Sequence, residues 1–175
     1  MKLLSIEKSE YRKKINTVIV GFVASLAVLA VGFGAILISI FGAEPNVSGE
    51  PTGNFHLNLI GVILAVAVNS FSLNKLKGQP YLKEVVYIWE LKHIHNRIYR
   101  KLKHIKKEAE KGNRTALQVL YFYYVTQKQV YELDNNTLTI TAVVKSLNEV
   151  KEQAERWELE LSTDDFEVEM INNIG

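Results

Sequence analysis

No side chain between Ile15 and Ala43 is charged, and fifteen positions from Val18 to Phe41 are Val, Ile, Leu or Phe. A helix rising about 1.5 Å per residue over that run exceeds the roughly 30 Å hydrocarbon core of a bilayer, so the pattern predicts a transmembrane helix with tilt or overhang. The apolar core of a cleaved signal peptide is shorter, about 7 to 15 residues, which sets this run apart. A second uncharged run, residues 57–73, holds ten large apolar side chains diluted by Asn58, Asn69, Ser70 and Ser72. It is just long enough to cross, and its insertion leans on pairing with the first helix. Residues 44–54 between the runs are rich in Pro, Gly, Asn and Ser and read as an exposed connection.

Beyond the second run the apolar period changes to that of water-soluble helices. Gly78-Gln79-Pro80 breaks the chain, and Pro80 suits the first turn of a new helix. Tyr81, Val85, Ile88, Leu91, Ile98, Leu102, Ile105 and Ala109 keep helical spacing up to Gly112, a natural C-terminal cap. Asn113 is placed to cap a further helix through Ala116, Leu117, Leu120, Tyr124 and Tyr131 to Leu133. Its run Tyr121-Phe122-Tyr123-Tyr124 is aromatic all round, which predicts a helix sandwiched between neighbours. After the turn cluster of residues 134–137, Ile140, Val143, Leu147, Val150, Ala154, Trp157 and Leu161 recur at alternating spacings of 3 and 4, the seam of a third helix. Short connections favour an internal three-helix bundle for this seam over pairing between subunits. The expected fold is all-α, a helical hairpin of two transmembrane helices followed by a bundle of about three helices.

Charge sets the expected orientation. The first fourteen residues carry Lys2, Lys8, Arg12, Lys13 and Lys14; Lys75, Lys77, Lys83 and Lys92 follow the second run, and residues 44–56 carry neither Lys nor Arg. By the positive-inside rule both termini are cytoplasmic. The expected organisation is a basic segment 1–14, spans 15–43 and 57–74, an extracytoplasmic loop 44–56, and a cytoplasmic helical domain 75–175 with an acidic tail. Within that domain residues 75–114 have a net charge of +8 and residues 134–175 a net charge of −7. The basic face of Arg97, Arg100, Lys101, Lys103, Lys106 and Lys107 suits anionic lipid head groups or the acidic tail of its own bundle. No helix-turn-helix or other reader motif accompanies it, which disfavours nucleic acid. Membrane-tethered nucleic-acid binding would require affinity falling steeply with salt and lost on removing Arg97, Arg100, Lys101 and Lys103 together.

In lipid, apolar burial gives no net drive between helices, and close packing of small residues holds spans together. Gly21, Ser25, Gly32, Ala35 and Ser39 share one stripe of the first span, and Gly61, Ala65 and Asn69 form a row on the second. These rows are expected to face each other or copies of themselves in a homo-oligomer; Ala30 and Gly34 offer a second small pair. Chemistry is sparse. With no cysteine there is no disulfide, thiolate metal site or thiol nucleophile. His93 and His95 point to different faces of a helix and make a poor metal pair. Phosphate-cradling glycine loops, nucleophile elbows and His-Glu-x-x-His runs are missing, so no catalytic residue, cofactor or metal site is assigned.

Tyr11-Arg12-Lys13-Lys14, the run from Ala116-Leu117 to Tyr124, and Tyr131-Glu132-Leu133-Asp134-Asn135-Asn136-Thr137-Leu138-Thr139 together resemble an uncharacterised family of small proteobacterial two-span membrane proteins, a domain of unknown function. The resemblance covers most of the chain and implies a bacterial inner membrane, with no assigned chemistry. A looser likeness, in architecture alone, is to two-span bacterial effectors thought to perforate membranes. The reading that follows is a non-enzymatic inner-membrane anchor, oligomeric, embedded in the lipid bilayer, whose cytoplasmic bundle docks a protein partner. The alternative is a subunit of a pore or transporter, in which Asn58, Asn69 or Ser72 lines a lumen.

Overall fold

The computed structural model describes residues 2–43 and 53–174; the rest of the expected loop, residues 44–52, lies outside the described residues. The described residues form five α-helices and no strand: α1 (Lys8–Phe41), α2 (Phe55–Leu76), α3 (Lys83–Glu110), α4 (Arg114–Leu133) and α5 (Thr137–Arg156). Short 3₁₀ turns occupy Pro80–Leu82, Thr163–Asp165 and Val168–Ile171. α1 begins seven residues before its uncharged run, because Glu7 caps it. The Glu7 carboxylate accepts from the backbone N–H of Ser9 at 3.0 Å and of Glu10 at 2.8 Å. These bonds and the Ser9 hydroxyl hold the Glu7 carboxyl below its usual range.

The chain forms two compact units, Met1–Arg12 with Glu84–Gly175, and Lys13–Lys83. In the second unit α1 and α2 are both long and apolar enough to cross a membrane. They meet at Ser25 with Asn69 and at Gly34 with Asn58 and Gly61. At the far end Asn54 clasps Ala43: its Oδ1 accepts from the Ala43 N–H at 3.0 Å and its Nδ2 donates to the Ala43 carbonyl at 3.2 Å.

The first unit is a helical bundle built around α4. Ala116, Leu117, Gln118, Val119, Leu120, Phe122, Tyr123, Tyr124, Thr126, Val130 and Leu133 are all buried, so α4 hides nearly its whole circumference. α3 presents Tyr87, Ile88, Leu91, Ile98, Ile105 and Ala109, and α5 presents Val143, Leu147, Val150 and Ala154. The α3–α4 turn uses Gly112 at φ +83°, and the Asn113 carboxamide then accepts from the Ala116 N–H at 3.0 Å to cap α4. A Cβ on Gly112 would lie 2.6 Å from the Trp157 ring, so both the backbone angle and the close approach require glycine there.

The α5 seam is shorter than its heptad pattern. Ile140 is half-buried and Val143, Leu147, Val150 and Ala154 are buried, but Trp157 is 51% exposed and Leu161 lies beyond the helix. Glu158 adopts φ +51° and the Leu159 N–H returns to the Ala154 carbonyl at 2.9 Å, which closes the helix and turns the chain. The residues that follow form a strap across α3 and α4. Phe166 stacks on Phe122 with centroids 3.7 Å apart and planes 5° from parallel, and Ile171 and Ile174 are buried. Gln118 Nε2 donates to the Ser162 carbonyl, and Lys101 Nζ donates to the Ile171 carbonyl at 3.2 Å and to Asn172 Oδ1 at 3.0 Å.

Candidate functional site

The face shared by α1 and α2 is made of residues that let backbones touch. Leu57, Gly61, Ala65 and Asn69 are buried on α2 at intervals of one turn. Opposite them Gly34 is buried and Ala30 half-buried. A Cβ on Gly61 would sit 2.7 Å from the Gly34 nitrogen, 2.9 Å from its Cα and 3.2 Å from the Ala30 carbonyl oxygen.

Ser25, Gly61, Ala65 and Asn69 therefore lie on this face. Gly32, Ala35 and Ser39 are exposed, and a Cβ on Gly21 or Gly32 would meet nothing within 4 Å. Ala30 and Gly34 supply the contact in their place. Positions two apart are separated by about 200° around a helix, so the approach of Gly34 to Gly61 turns Gly32 away. Within the face the Ser25 hydroxyl lies 2.7 Å from Asn69 Oδ1 and 3.0 Å from the Phe22 carbonyl oxygen, and Asn69 Nδ2 is buried without a partner among the described residues.

In the bundle, side chains of α3, of α4 and of its C-cap Asp134 bind the segment that precedes α1 and the first turn of α1. Gln129 Nε2 donates to the Leu4 carbonyl at 2.7 Å, and the Leu4 N–H donates to the Tyr87 hydroxyl at 3.3 Å. Buried Tyr11 donates its hydroxyl to Asp134 Oδ1 at 3.4 Å, and Asp134 Oδ2 pairs with Lys92 Nζ at 2.7 Å. The composition of residues 2–12 gave no sign of this docking, because Leu3, Leu4, Ile6 and Tyr11 follow no helical period and lie among charges.

His95 sits half-buried between α3 and α4. Its Nε2 is 2.7 Å from Thr126 Oγ1, whose own hydroxyl donates to the Phe122 carbonyl at 2.7 Å, and its ring meets Tyr123 edge-on at 5.4 Å. Thr126 thus accepts from an Nε2–H, which defines a neutral tautomer. Burial, reinforced by nearby Lys92, lowers the imidazole from 6.5 to about 4. The unfolded chain takes up this proton below about pH 6.5 and the folded chain does not until about pH 4, so stability falls with acidification through that window. From pH 7 to pH 5 the expected loss is about 2 kcal/mol. Urea unfolding of wild type and of His95→Gln at both pH values checks this: the variant should lose most of the slope, and an unchanged slope would assign it to other groups.

The expected basic face is present on α3. Arg97, Arg100, Lys103 and Lys107 are exposed and form no ion pair among the described residues, whereas Lys101 holds the strap and the Lys106 ammonium lies 5.9 Å from the Tyr124 ring centroid. Lys92 with Asp134 joins the basic segment to the acidic one; most carboxylates of the acidic segment stay exposed. Among the described residues no group of three His, Asp or Glu side chains converges as a metal site.

The molecule is thus an all-helical protein combining two long apolar helices with a helical bundle that also holds the chain's first residues. The family described as "Protein of unknown function (DUF3087)" matches residues 1–171, and the chain belongs to it. No curated protein and no solved structure matches the chain.

Proposed function

We propose that this chain is a non-enzymatic integral protein of a bacterial inner membrane. It crosses twice as a helical hairpin with both termini cytoplasmic, and its bundle docks a protein partner. The observation that carries the membrane reading is the exposure of α1 and α2. Outside their shared face Val20, Val28, Val31, Ile40, Ile63 and Phe71 are open, Val28 and Val31 at 73%. Only 6% and 22% of the most apolar stretches of the two helices are buried within the protein. A core helix of a water-soluble protein would bury such surface, and lipid removes the penalty of leaving it open.

The same-side placement of the termini is supported by the docking of Leu4 and Tyr11 on α3 and α4. Residues before the first span and after the second share one compact unit, as a double crossing requires. The lysines flanking both spans then face the cytoplasm. The outward row of Gly32, Ala35 and Ser39 suits packing against a further copy, making the spans an assembly surface. On the bundle Trp89, Tyr99 and Trp157 stay exposed, the aromatic residue types enriched where proteins meet.

The runner-up, a pore or transporter subunit, needs Asn58, Asn69 or Ser72 in a water-filled lumen. Ser72 instead returns its hydroxyl to the Val68 carbonyl at 2.9 Å, and Asn69 is engaged by Ser25. Native mass spectrometry of the purified chain with copurifying proteins retained tests the choice. A monomer or small oligomer carrying another protein supports docking; a ring of many copies that conducts ions, with conductance lost in Asn69→Leu while assembly persists, supports the pore. Extraction of the chain from membranes by alkaline carbonate would overturn both.

A further inference from the structure

Residues spaced alternately by four and three fall on one line of a helix, and on α3 such a line runs through Trp89, His93, Asn96, Arg100, Lys103 and Lys107. It is about 27 Å long. All six residues are exposed, Trp89 at 58%, and the Trp89 ring meets the His93 ring edge-on at 4.1 Å. The line carries no carboxylate. Glu90 and Glu108 each follow one of its residues and so lie about 100° around the helix, and Glu108 is taken by Lys111 at 2.6 Å. Arg100, Lys103 and Lys107 are thus like charges on one open face, with no ion pair among the described residues to offset them.

The complementary charge is in the same chain. Residues 158–169, which enter and form the strap, carry six carboxylates and neither Lys nor Arg. α3 holds the strap by other oxygens: Lys101 bonds the Ile171 carbonyl and Asn172 Oδ1, and His104 Nε2 lies 3.4 Å from the Ile174 carbonyl. Glu158, Glu160, Asp165, Glu167 and Glu169 are exposed and form no ion pair among the described residues. The basic line and the acidic strap are therefore left unmatched within one molecule, although the whole chain is close to neutral at +2. Two molecules can match them.

We infer that the α3 line docks on the strap of a second copy of this chain, with Arg100, Lys103 and Lys107 against its carboxylates. The inference rests on the assembly reading above and extends it from the spans to the bundle. Copies that share a membrane present their bundles on the same side, which raises their effective concentration. An exposed ion pair adds little affinity by itself, so the charges act mainly by selecting which faces meet. Trp89 at one end of the line and Trp157 just before the strap, both about half exposed, are the large side chains such a contact would cover.

The test is disulfide mapping between copies, which a chain without cysteine allows directly. Two full-length forms with different tags are co-expressed, one with Asn96→Cys on the line and the other with Glu160→Cys or Glu167→Cys on the strap, and their membranes are oxidised. A disulfide joining the two tags can only link two copies. It should form in preference to Asn96→Cys homodimers and fall several-fold as salt rises from about 50 to about 500 mM, since exposed charges are screened. Arg100→Glu with Lys103→Glu on the first form should remove most of it. Asp165→Lys with Glu169→Lys on the second form should then restore it, which a merely misfolded variant could not show. No mixed disulfide with either strap cysteine, or a yield indifferent to the reversals, would overturn the proposal. So would an Asn96→Cys shielded from maleimide that joins no strap, which would give the line to another occupant such as anionic lipid. Gly32→Cys separates the failures: homodisulfides there without a line-to-strap disulfide sink this inference alone, and the absence of both sinks the assembly reading with it.

Discussion

Alanine at Gly61 is expected to part α1 from α2, whereas alanine at Gly34 is expected to be absorbed. The two glycines face each other but meet different neighbours. A Cβ on Gly61 would run into the backbone of Gly34 and the Ala30 carbonyl, at 2.7 to 3.2 Å, and backbone cannot rotate away. A Cβ on Gly34 would meet the Asn58 carboxamide oxygen at 2.7 Å, the end of a mobile side chain that is otherwise exposed. Gly61→Ala should therefore weaken helix pairing by about 3 kcal/mol, the upper part of the range for forced overpacking, and Gly34→Ala by less than about 1 kcal/mol. The absence of cysteine makes a disulfide readout clean. In a Ser25→Cys, Asn69→Cys background, oxidation should join α1 to α2, Gly34→Ala should leave the yield intact, and Gly61→Ala should abolish most of it. Equal yields in the two glycine variants would show that the backbones do not approach as described.

The contrast also shows what the sequence could not decide. Uncharged runs and a shift of apolar period marked out five helices, because burial in lipid and burial in a bundle leave different periods in the chain. Gly112 and Asn113 were legible as a stop and a start since a positive φ and an Asx cap each demand a narrow set of residues. Which small residues of α1 meet α2 was not legible. The row through Gly32 and the pair Ala30 with Gly34 are equally compatible with close packing, and the choice is made by the partner helix. The end of α5 was hidden for a related reason: Glu158 occupies the left-handed position where glycine would have announced it, so the pattern ran on to Trp157 and Leu161. The docking of residues 2–12 and the strap were hidden most completely, since neither has a repeating period.

The strap carries the second large expectation, a loss of about 3 to 5 kcal/mol of unfolding free energy in Phe166→Ala. Phe166 is 2% exposed and lies flat on Phe122, itself fully buried at the middle of α4. Removing the ring opens a void against a helix that has no free side on which to relax, since α4 is buried nearly all round. The effect should extend beyond one contact. Lys101 and His104 of α3 bond the strap at Ile171 and Ile174, and Gln118 of α4 bonds it at Ser162, so a strap freed at Phe166 releases bonds from two helices at once. Denaturant unfolding of the full chain in detergent, followed by near-ultraviolet circular dichroism of the aromatic cluster, measures this directly. Phe166→Leu, which keeps most of the volume, should cost clearly less than Phe166→Ala. Leu138→Ala, at a position 94% exposed, should leave the midpoint where it is. A Phe166→Ala midpoint within experimental error of wild type would mean that the acidic tail merely lies on the bundle. The expected fall would make residues 159–174 part of its core, despite a charge pattern that reads as a solvated end.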